Sequence, residues 1–299
     1  MNKYLLLLIL TTYSQTYNST NKPKLKEFSH NKFSQWGEDG IIQKIFEIIG
    51  TKSKICLEVG AGKNLDGNVS NLWKNFGWKA ILIEGDPEKI KTLEPCVNEN
   101  CTIVKSYIEK DETLGQTIDL IVTNLGIKEN LDLLSLDIDG NDYYIFENLK
   151  IRPRVLIIEF NPTIPYYRDI YQMYTNHSWE IGCSVASLKR LAQQKNYTLV
   201  ALTDVNAIFV EDKYADKFKN YETSLEKLFN TDYLKNIIHS YSGDPLVVAK
   251  INHLCDGFFK EGYPGEMNCD NCYFLRINQI DINNNDLKKN LPNFTKVKP

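Results

Sequence analysis

The sequence predicts an α/β protein in which helices cover both faces of a mostly parallel sheet. An apolar run that starts at Ile55 leads into Glu58 and then directly into the glycine pair Gly60 and Gly62. A second apolar run ends in Glu84 in a similar way. Further runs of this kind alternate with helical patterns, and strands separated by helices of that length favour right-handed crossovers between parallel strands.

In the first half of the chain, helix and strand patterns follow one another. Apolar residues recur at helical spacing up to Ile49, with Ser34 as the expected cap and Gly50 as the expected stop. Asp86 and Pro87 are a capping residue and a first-turn proline, so they indicate another helix start. The other predicted elements are strands at Ile55–Val59, Lys79–Glu84 and Cys101–Val104 and helices at Asn68–Gly77 and Thr113–Leu125.

The second half continues the alternation and ends in a hairpin. A near-continuous apolar run that finishes in Asp137 and Asp139 is typical of a buried parallel strand. The link from Thr203 to Asn206 is short enough for an antiparallel hairpin. The predicted elements are strands at Asp132–Ile138 and Val155–Phe160, helices at Tyr143–Leu149 and Ser184–Lys195, and paired strands at Tyr197–Leu202 and Ala207–Val210.

The two acid-ended strands predict a nucleoside-containing cofactor. Glycines let the backbone approach a ligand closely, and an acid that ends the second strand can accept hydrogen bonds from two ribose hydroxyls. Asn64 and Leu65 stand where a dinucleotide loop carries its third glycine, which favours S-adenosylmethionine, a cofactor without phosphate. A tight strand-to-helix turn would also explain the glycines, and a helix cap would explain Asp86. The expected cofactor-binding residues are Glu58, Gly60, Gly62, Glu84 and Asp86.

Composition and the chain ends bear on partners and compartment. The net charge of −3, with scattered basic residues, gives no electrostatic footprint for nucleic acid. Lys3 and the apolar run after it are typical of a secretory signal and too short to span a bilayer. Cysteines cluster near the C-terminus, where a disulfide is expected in an oxidising compartment, whereas Cys56 is expected to be a free thiol in the core. These features favour the secretory pathway or the extracellular space, with the cytoplasm as the alternative.

Six ordered sequence blocks lie between residues 33 and 211. They are SQWGEDG from Ser34, EVGAG from Glu58, GWKAILIE from Gly77, SLDIDGND from Ser135, VLIIEFN from Val155 and NAIFV from Asn206. Together they resemble FkbM-type S-adenosylmethionine-dependent methyltransferases. The resemblance implies a Rossmann-like sheet of seven strands whose last strand is antiparallel, and O-methylation of a hydroxyl, often on a sugar. The same branch also resembles an animal membrane-trafficking protein that is not thought to be an enzyme, so a non-catalytic secretory-pathway binding protein is the alternative.

The resemblance and the composition divide the chain into four parts. Residues 1–14 are expected to be a signal-like segment, 15–32 a linker, 33–211 the methyltransferase domain, and 212–299 a helical and irregular extension with a disordered end. The expected partner is a small-molecule or glycan acceptor. No nucleic acid and no stable membrane span are expected, and nothing in the sequence indicates an oligomeric state.

Methyl transfer to a hydroxyl needs a group that orients the acceptor or removes its proton. Asp137 and Asp139 end the fourth strand, which should adjoin the first, so they are the expected catalytic residues. Glu159, which ends the fifth strand, and His177 come next. Carboxylates from these strand ends could hold Mg²⁺, but catalysis without a metal is predicted. The Asp-Ile-Asp run also resembles the metal-binding signature of nucleotide-sugar glycosyltransferases, a less favoured alternative because those enzymes have no use for the glycine loop.

Overall fold

The computed structural model describes residues 22–63, 66–128, 130–174, 181–239, 245–249 and 273–276. The signal-like residues 1–14, His177 and the clustered cysteines Cys255, Cys269 and Cys272 lie outside these ranges. None of the described helices has the length and hydropathy that a membrane span requires.

A seven-stranded sheet with the order β3-β2-β1-β4-β5-β7-β6 forms the centre of the fold. Neighbouring strands from β3 to β5 are parallel, whereas β7 is antiparallel to both β5 and β6. The strands are β1 Ile55–Val59, β2 Lys79–Glu84, β3 Cys101–Lys105, β4 Leu133–Leu136, β5 Val155–Glu159, β6 Tyr197–Leu202 and β7 Asn206–Glu211. The predicted fold class and hairpin are confirmed, and β4 lies beside β1 as expected.

Helices cover both faces of this sheet because strand side chains point alternately to the two sides. Cys56, a free and fully buried thiol, belongs to the core on one face, and Leu57 belongs to the core on the other. The first core also receives side chains from α1 Glu38–Ile49, α2 Ser70–Asn75 and α3 Pro87–Leu93. The second receives them from α4 Ile118–Asn124, α5 Asp142–Asn148, α6 Val185–Gln194 and α7 Leu225–Leu228.

Two predicted helix starts are wrong. α1 begins at Glu38 with Gly37 at the capping position, although the Ser34 hydroxyl still accepts the N–H of Asp39 at 3.0 Å. The helix predicted from Thr113 begins only at Ile118, because the Thr117 side chain caps it by accepting the Leu120 N–H at 3.1 Å. In contrast, Asp86 caps α3 as predicted, and its carboxylate accepts the Glu88 N–H at 2.8 Å.

The C-terminal extension contains strands that the sequence does not predict. β8 Lys235–His239, β9 Pro245–Ala249 and β10 Tyr273–Arg276 form a separate antiparallel sheet in the order β10-β9-β8. The expected helical and irregular character therefore does not describe these three segments.

A buried ion pair joins several elements at the amino ends of the strands. The Arg154 guanidinium donates to Asp132 at 2.6 Å, to the Tyr214 hydroxyl at 2.8 Å, and to the C-terminal carbonyls of α1 at 2.8 and 3.0 Å. The second Asp132 oxygen accepts the N–H groups of Lys52 and Lys54 at 2.8 and 2.9 Å. The Arg154 and Asp132 side chains are only 3% and 0% exposed, so each charge depends on the other for compensation.

Replacing Arg154 with Met should therefore destabilise the fold strongly. Removal of one partner of a buried pair leaves an uncompensated charge, which costs about 3–5 kcal/mol of unfolding free energy. Arg152→Met is the matched control, because the Arg152 side chain is 44% exposed in its pair with Glu211 and such pairs contribute about 0–1 kcal/mol. Urea unfolding followed by circular dichroism measures both, and equal losses in the two variants would contradict this account.

Candidate functional site

Two adjoining cavities open at the carboxyl ends of the parallel strands. The β2 cavity has a volume of about 560 Å³, and Glu84 and Tyr107 line it. The β5 cavity has a volume of about 500 Å³, and Glu58 and Glu159 line it. The two cavities meet at the residues that line both, namely Gly60, Lys89, Asp137 and Asp139. The chain thus brings every predicted catalytic and cofactor-binding residue to this edge of the sheet.

The glycine loop after β1 lies directly against the end of β4. Gly60 has a φ of 74°, and a Cβ built on it would lie 1.6 Å from the Asp137 carbonyl oxygen. Its N–H donates to the Ile83 carbonyl at 3.0 Å. Both the left-handed backbone and the close approach require glycine here. The loop after β1 is thus fixed between the ends of β2 and β4.

Glu84 is buried at the end of β2 and holds two loops. Its Oε1 accepts the N–H groups of Gly85 and Asp86 at 2.9 Å each, and its Oε2 accepts the N–H of Gly62 at 3.0 Å. A carboxylate has about four lone-pair sites, so roughly one remains for a further donor. The sequence predicts bonds to two ribose hydroxyls, whereas the structure leaves room for about one without loss of a loop contact.

Tyr107 is a further candidate that the sequence analysis does not single out. Its side chain is 70% exposed and lines the β2 cavity. The ring lies so close to Gly85 that a Cβ there would be 2.3 Å from it. An exposed aromatic ring over a backbone glycine, beside Glu84, offers a flat surface on which a base could stack. Gly85, which follows Glu84 in the sequence, indicates that another group approaches the backbone there. Only the fold shows that this group is the ring of Tyr107.

Glu58 is buried at the end of β1, where no cation is paired with it among the described residues. It accepts the Asn68 N–H at 2.6 Å, and Gly67 packs so closely that a Cβ there would lie 2.2 Å from the carboxylate. Burial raises the pKa of Glu58 to about 8, against the opposing effect of the hydrogen bonds from Asn68 and Val69. Burial therefore favours the protonated form of this side chain at neutral pH.

Asp137, Asp139 and Glu159 form an acidic cluster, in which one carboxylate oxygen of each lies within 4.8 Å of the others. Burial, followed by the charges of Asp142 and Asp139, raises the pKa of Asp137 to about 7, and a hydrogen bond with Glu159 partly offsets this. Burial and the neighbouring acids raise the pKa of Glu159 well above its usual value. The structure thus brings the two predicted catalytic aspartates together with Glu159, and Asp137 and Glu159 share a hydrogen bond.

Asp142 shapes the turn that carries this cluster. Its carboxylate accepts the N–H groups of Ile138 at 2.9 Å and Gly140 at 3.0 Å, and the turn places Asp139 at a φ of 57°. The strand predicted to run to Ile138 therefore ends at Leu136. Burial raises the pKa of Asp142 to about 6. It is a positioning residue that the acid-ended strand pattern does not distinguish from Asp137 and Asp139.

Asp86 and the first two acids of α1, Glu38 and Asp39, have mainly structural roles. Asp86 lines the β2 cavity while it caps α3, so the two predicted roles are compatible. Glu38 accepts from the Thr203 hydroxyl and the Asn206 amide at 2.9 Å each, which ties α1 to the hairpin between β6 and β7. Asp39 accepts the backbone N–H groups of residues 32–34. Neither acid lines the cleft, so a direct cofactor contact is not favoured for them.

No family model matches this chain, and no curated protein matches it. Several solved structures are similar in fold. A SAM-dependent methyltransferase from Aquifex aeolicus is 13% identical, with a TM-score of 0.34 over 56% of this chain and 86% of that one. CalO1, a methyltransferase of calicheamicin biosynthesis solved with SAH, is 15% identical, with a TM-score of 0.33 over 57% of this chain and 54% of that one. The small RNA methyltransferase HEN1 is 13% identical, with a TM-score of 0.35 over 57% of this chain and 24% of that one.

Because the pKa of Glu58 is raised in the folded state, we expect the unfolding free energy to fall as the pH rises. The pKa of Glu58 is about 8 in the folded state, whereas in the unfolded chain the carboxyl has its ordinary pKa of 4.5. Between these values the unfolding free energy should fall by about 1.4 kcal/mol per pH unit for one such group. Asp137, Asp142 and Glu159 act in the same direction.

Glu58→Gln should make this decline shallower, because the amide can still accept the Asn68 N–H but does not titrate. Urea unfolding at pH 5, 6, 7 and 8 measures the slope. Glu88→Gln, at an exposed carboxylate of α3, is the control and should keep the wild-type slope. An unchanged slope in Glu58→Gln would show that Glu58 is already ionised in the folded protein.

Proposed function

We propose that this protein is an S-adenosylmethionine-dependent O-methyltransferase that acts on a hydroxyl, with a carbohydrate as the acceptor. The observation that carries the proposal is the charge of the cleft. Glu58, Glu84, Asp137, Asp139 and Glu159 line it, whereas its only described cationic lining residues are Lys63 and Lys89. A sulfonium cofactor with an ammonium group would favour the ionised forms of Glu58, Asp137 and Glu159, whose pKa values are raised in its absence. Such a lining therefore suits a cation better than the diphosphate of a dinucleotide or nucleotide-sugar.

The two cavities suggest how the cofactor would lie. In the β2 cavity, Tyr107 would stack on the adenine base and the remaining lone pair of Glu84 would accept one ribose hydroxyl. The methionine part would then follow Gly60 towards Glu58 in the β5 cavity. This places the methyl group towards the acidic cluster, where the acceptor must approach for an in-line displacement.

The chemistry asks little of the protein beyond positioning and proton removal. The acceptor oxygen forms a bond to the methyl carbon, and the carbon–sulfur bond breaks with its electron pair left on sulfur as a neutral thioether. The hydroxyl proton passes to a carboxylate of the acidic cluster, with Asp137 or Asp139 as the base or as the group that orients the hydroxyl. The pKa of Asp137, raised to about 7, suits proton transfer near neutral pH.

The acceptor class rests on the resemblance to FkbM-type methyltransferases, whose acceptors are often sugar hydroxyls. The blocks that carry this resemblance supply the glycine loop, Glu84, the β4 turn and Glu159 of the present cleft. A non-catalytic protein would need Gly60 and Glu84 to hold the loops, but it would not need three acids clustered at one edge of the sheet. The trafficking alternative is therefore less favoured.

Calorimetric titration of the full chain with S-adenosylmethionine and S-adenosylhomocysteine tests the cofactor. We expect saturable binding of both and a loss of about tenfold or more in Tyr107→Ala, because stacking of a base on an aromatic ring contributes about 1–3 kcal/mol. Tyr107 is a cleaner position than Glu84, whose removal would also release three backbone N–H groups. Tyr167→Ala, at a tyrosine that is 66% exposed outside both cavities, is the matched control. Binding of a nucleotide-sugar without binding of either cofactor form would favour a glycosyltransferase.

Asp137→Asn and Asp139→Asn test the chemistry. Each should bind the cofactor within about threefold of the wild type, while transfer of labelled methyl to a glycan acceptor falls by about 10²–10⁴ in at least one. Asp111→Asn, at an acid outside the cleft, is the control. Wild-type turnover in both cluster variants would remove these residues from the mechanism and leave Glu159 as the next candidate.

A further inference from the structure

The geometry points to a divalent-cation site made by Asp137, Asp139, Glu159 and Asn206 at the ends of β4, β5 and β7. The three carboxylates each offer one oxygen within 4.8 Å of the others. All four residues line the β5 cavity. The sequence leaves Mg²⁺ at the ends of β4 and β5 as a less favoured alternative, and it does not bring Asn206 to these carboxylates.

Asn206 supplies the independent observation. The residue is 3% exposed, and its Oδ1 is buried without a hydrogen-bond partner. Its Nδ2 donates to Glu38 at 2.9 Å, which fixes the amide so that Oδ1 is the atom left over. A buried acceptor without a partner is unfavourable and uncommon in folded proteins, and an ion is one of the groups that can satisfy it.

The pairing of β5 with β7 brings this oxygen to the acids. Glu159 and Asn206 are directly opposite each other in the antiparallel register. Directly opposed residues have Cβ atoms about 4.5–5.5 Å apart on the same face of the sheet. The Asn206 amide therefore lies beside the Glu159 carboxylate, and both can supply oxygen ligands to the same cation.

The four oxygen ligands indicate which metal ions the site would bind. Three carboxylate oxygens and one amide oxygen are hard ligands, and Mg²⁺, Mn²⁺ and Ca²⁺ prefer them. No described ion pair involves the three carboxylates. Lys63 and Lys89 line the same cavity, so they are the described cations that could compete for this charge.

This inference deepens the proposed function and partly rests on it. Asp139 and Glu159 also line a smaller cavity of about 190 Å³ on the side of Asn161. A cation held between the two cavities would bind an acceptor oxygen, so the acidic cluster would orient the hydroxyl through the ion. Acceptors with several hydroxyls, such as sugars, suit such an ion because they offer more than one oxygen ligand.

Manganese binding to the full chain, measured by the electron paramagnetic resonance signal of free Mn²⁺ in the absence of cofactor, tests the site. We expect one Mn²⁺ per chain with a Kd below about 1 mM, displaced by Mg²⁺ or Ca²⁺. Asp139→Asn changes an exposed residue, so it should fold and weaken binding by about tenfold or more. Glu159→Gln is the second ligand variant, with the same expected loss. Asp66→Asn, at an exposed acid of the same cavity outside the cluster, is the control and should bind as the wild type does.

The outcomes separate this inference from the proposed function. No Mn²⁺ binding up to about 10 mM, or unchanged affinity in both ligand variants, overturns the cation site even if S-adenosylmethionine binds. Mn²⁺ binding that the ligand variants weaken supports the site even if S-adenosylmethionine does not bind, in which case the proposed function fails alone.

Discussion

Buried carboxylates that accept backbone N–H groups hold the loops of the cleft in place. Glu84 joins the loops after β1 and β2, Glu58 holds the start of α2, and Asp142 forms the turn after β4. Bonds of this kind are stronger than neutral ones wherever the carboxylate is ionised, and they need no cationic side chain. The cleft thus keeps its acids close together with few lysines and no arginine in its described lining, and the proposed binding of cations depends on this construction.

Short-range sequence patterns were sufficient for much of the fold and for the position of the cleft. Apolar runs that end in acids locate β1 and β2 with their acids, and the tight link at residues 203–206 predicts the hairpin. Parallel strands place their carboxyl ends at one edge, so Asp137 and Asp139 could be assigned to the same edge as Gly60. These inferences depend only on local periodicity and on general rules of strand connection.

The remaining features depend on contacts between distant parts of the chain. Tyr107 lies over Gly85 because β3 pairs with β2, and Asn206 lies beside Glu159 because β7 inserts next to β5. The late start of α4 has a local cause, since Thr117 captures the Leu120 N–H and the residues before it form turns. Asp142 differs from Asp137 and Asp139 in that it accepts the N–H groups of Ile138 and Gly140. No sequence pattern predicts which of the three acids makes these bonds.

The two ends of the sheet have opposite electrostatic construction. At the amino ends, Arg154 neutralises Asp132 and joins β4, β5, α1 and Tyr214 into one compact unit. That unit has no part in the cleft, whose acids lie at the carboxyl ends. The ion pair of Arg154 and Asp132 is therefore separate from the residues that would choose a ligand. Relatives could exchange the loops at the carboxyl ends of the strands and acquire new acceptors. The Arg154 unit at the amino ends would meanwhile preserve a common scaffold.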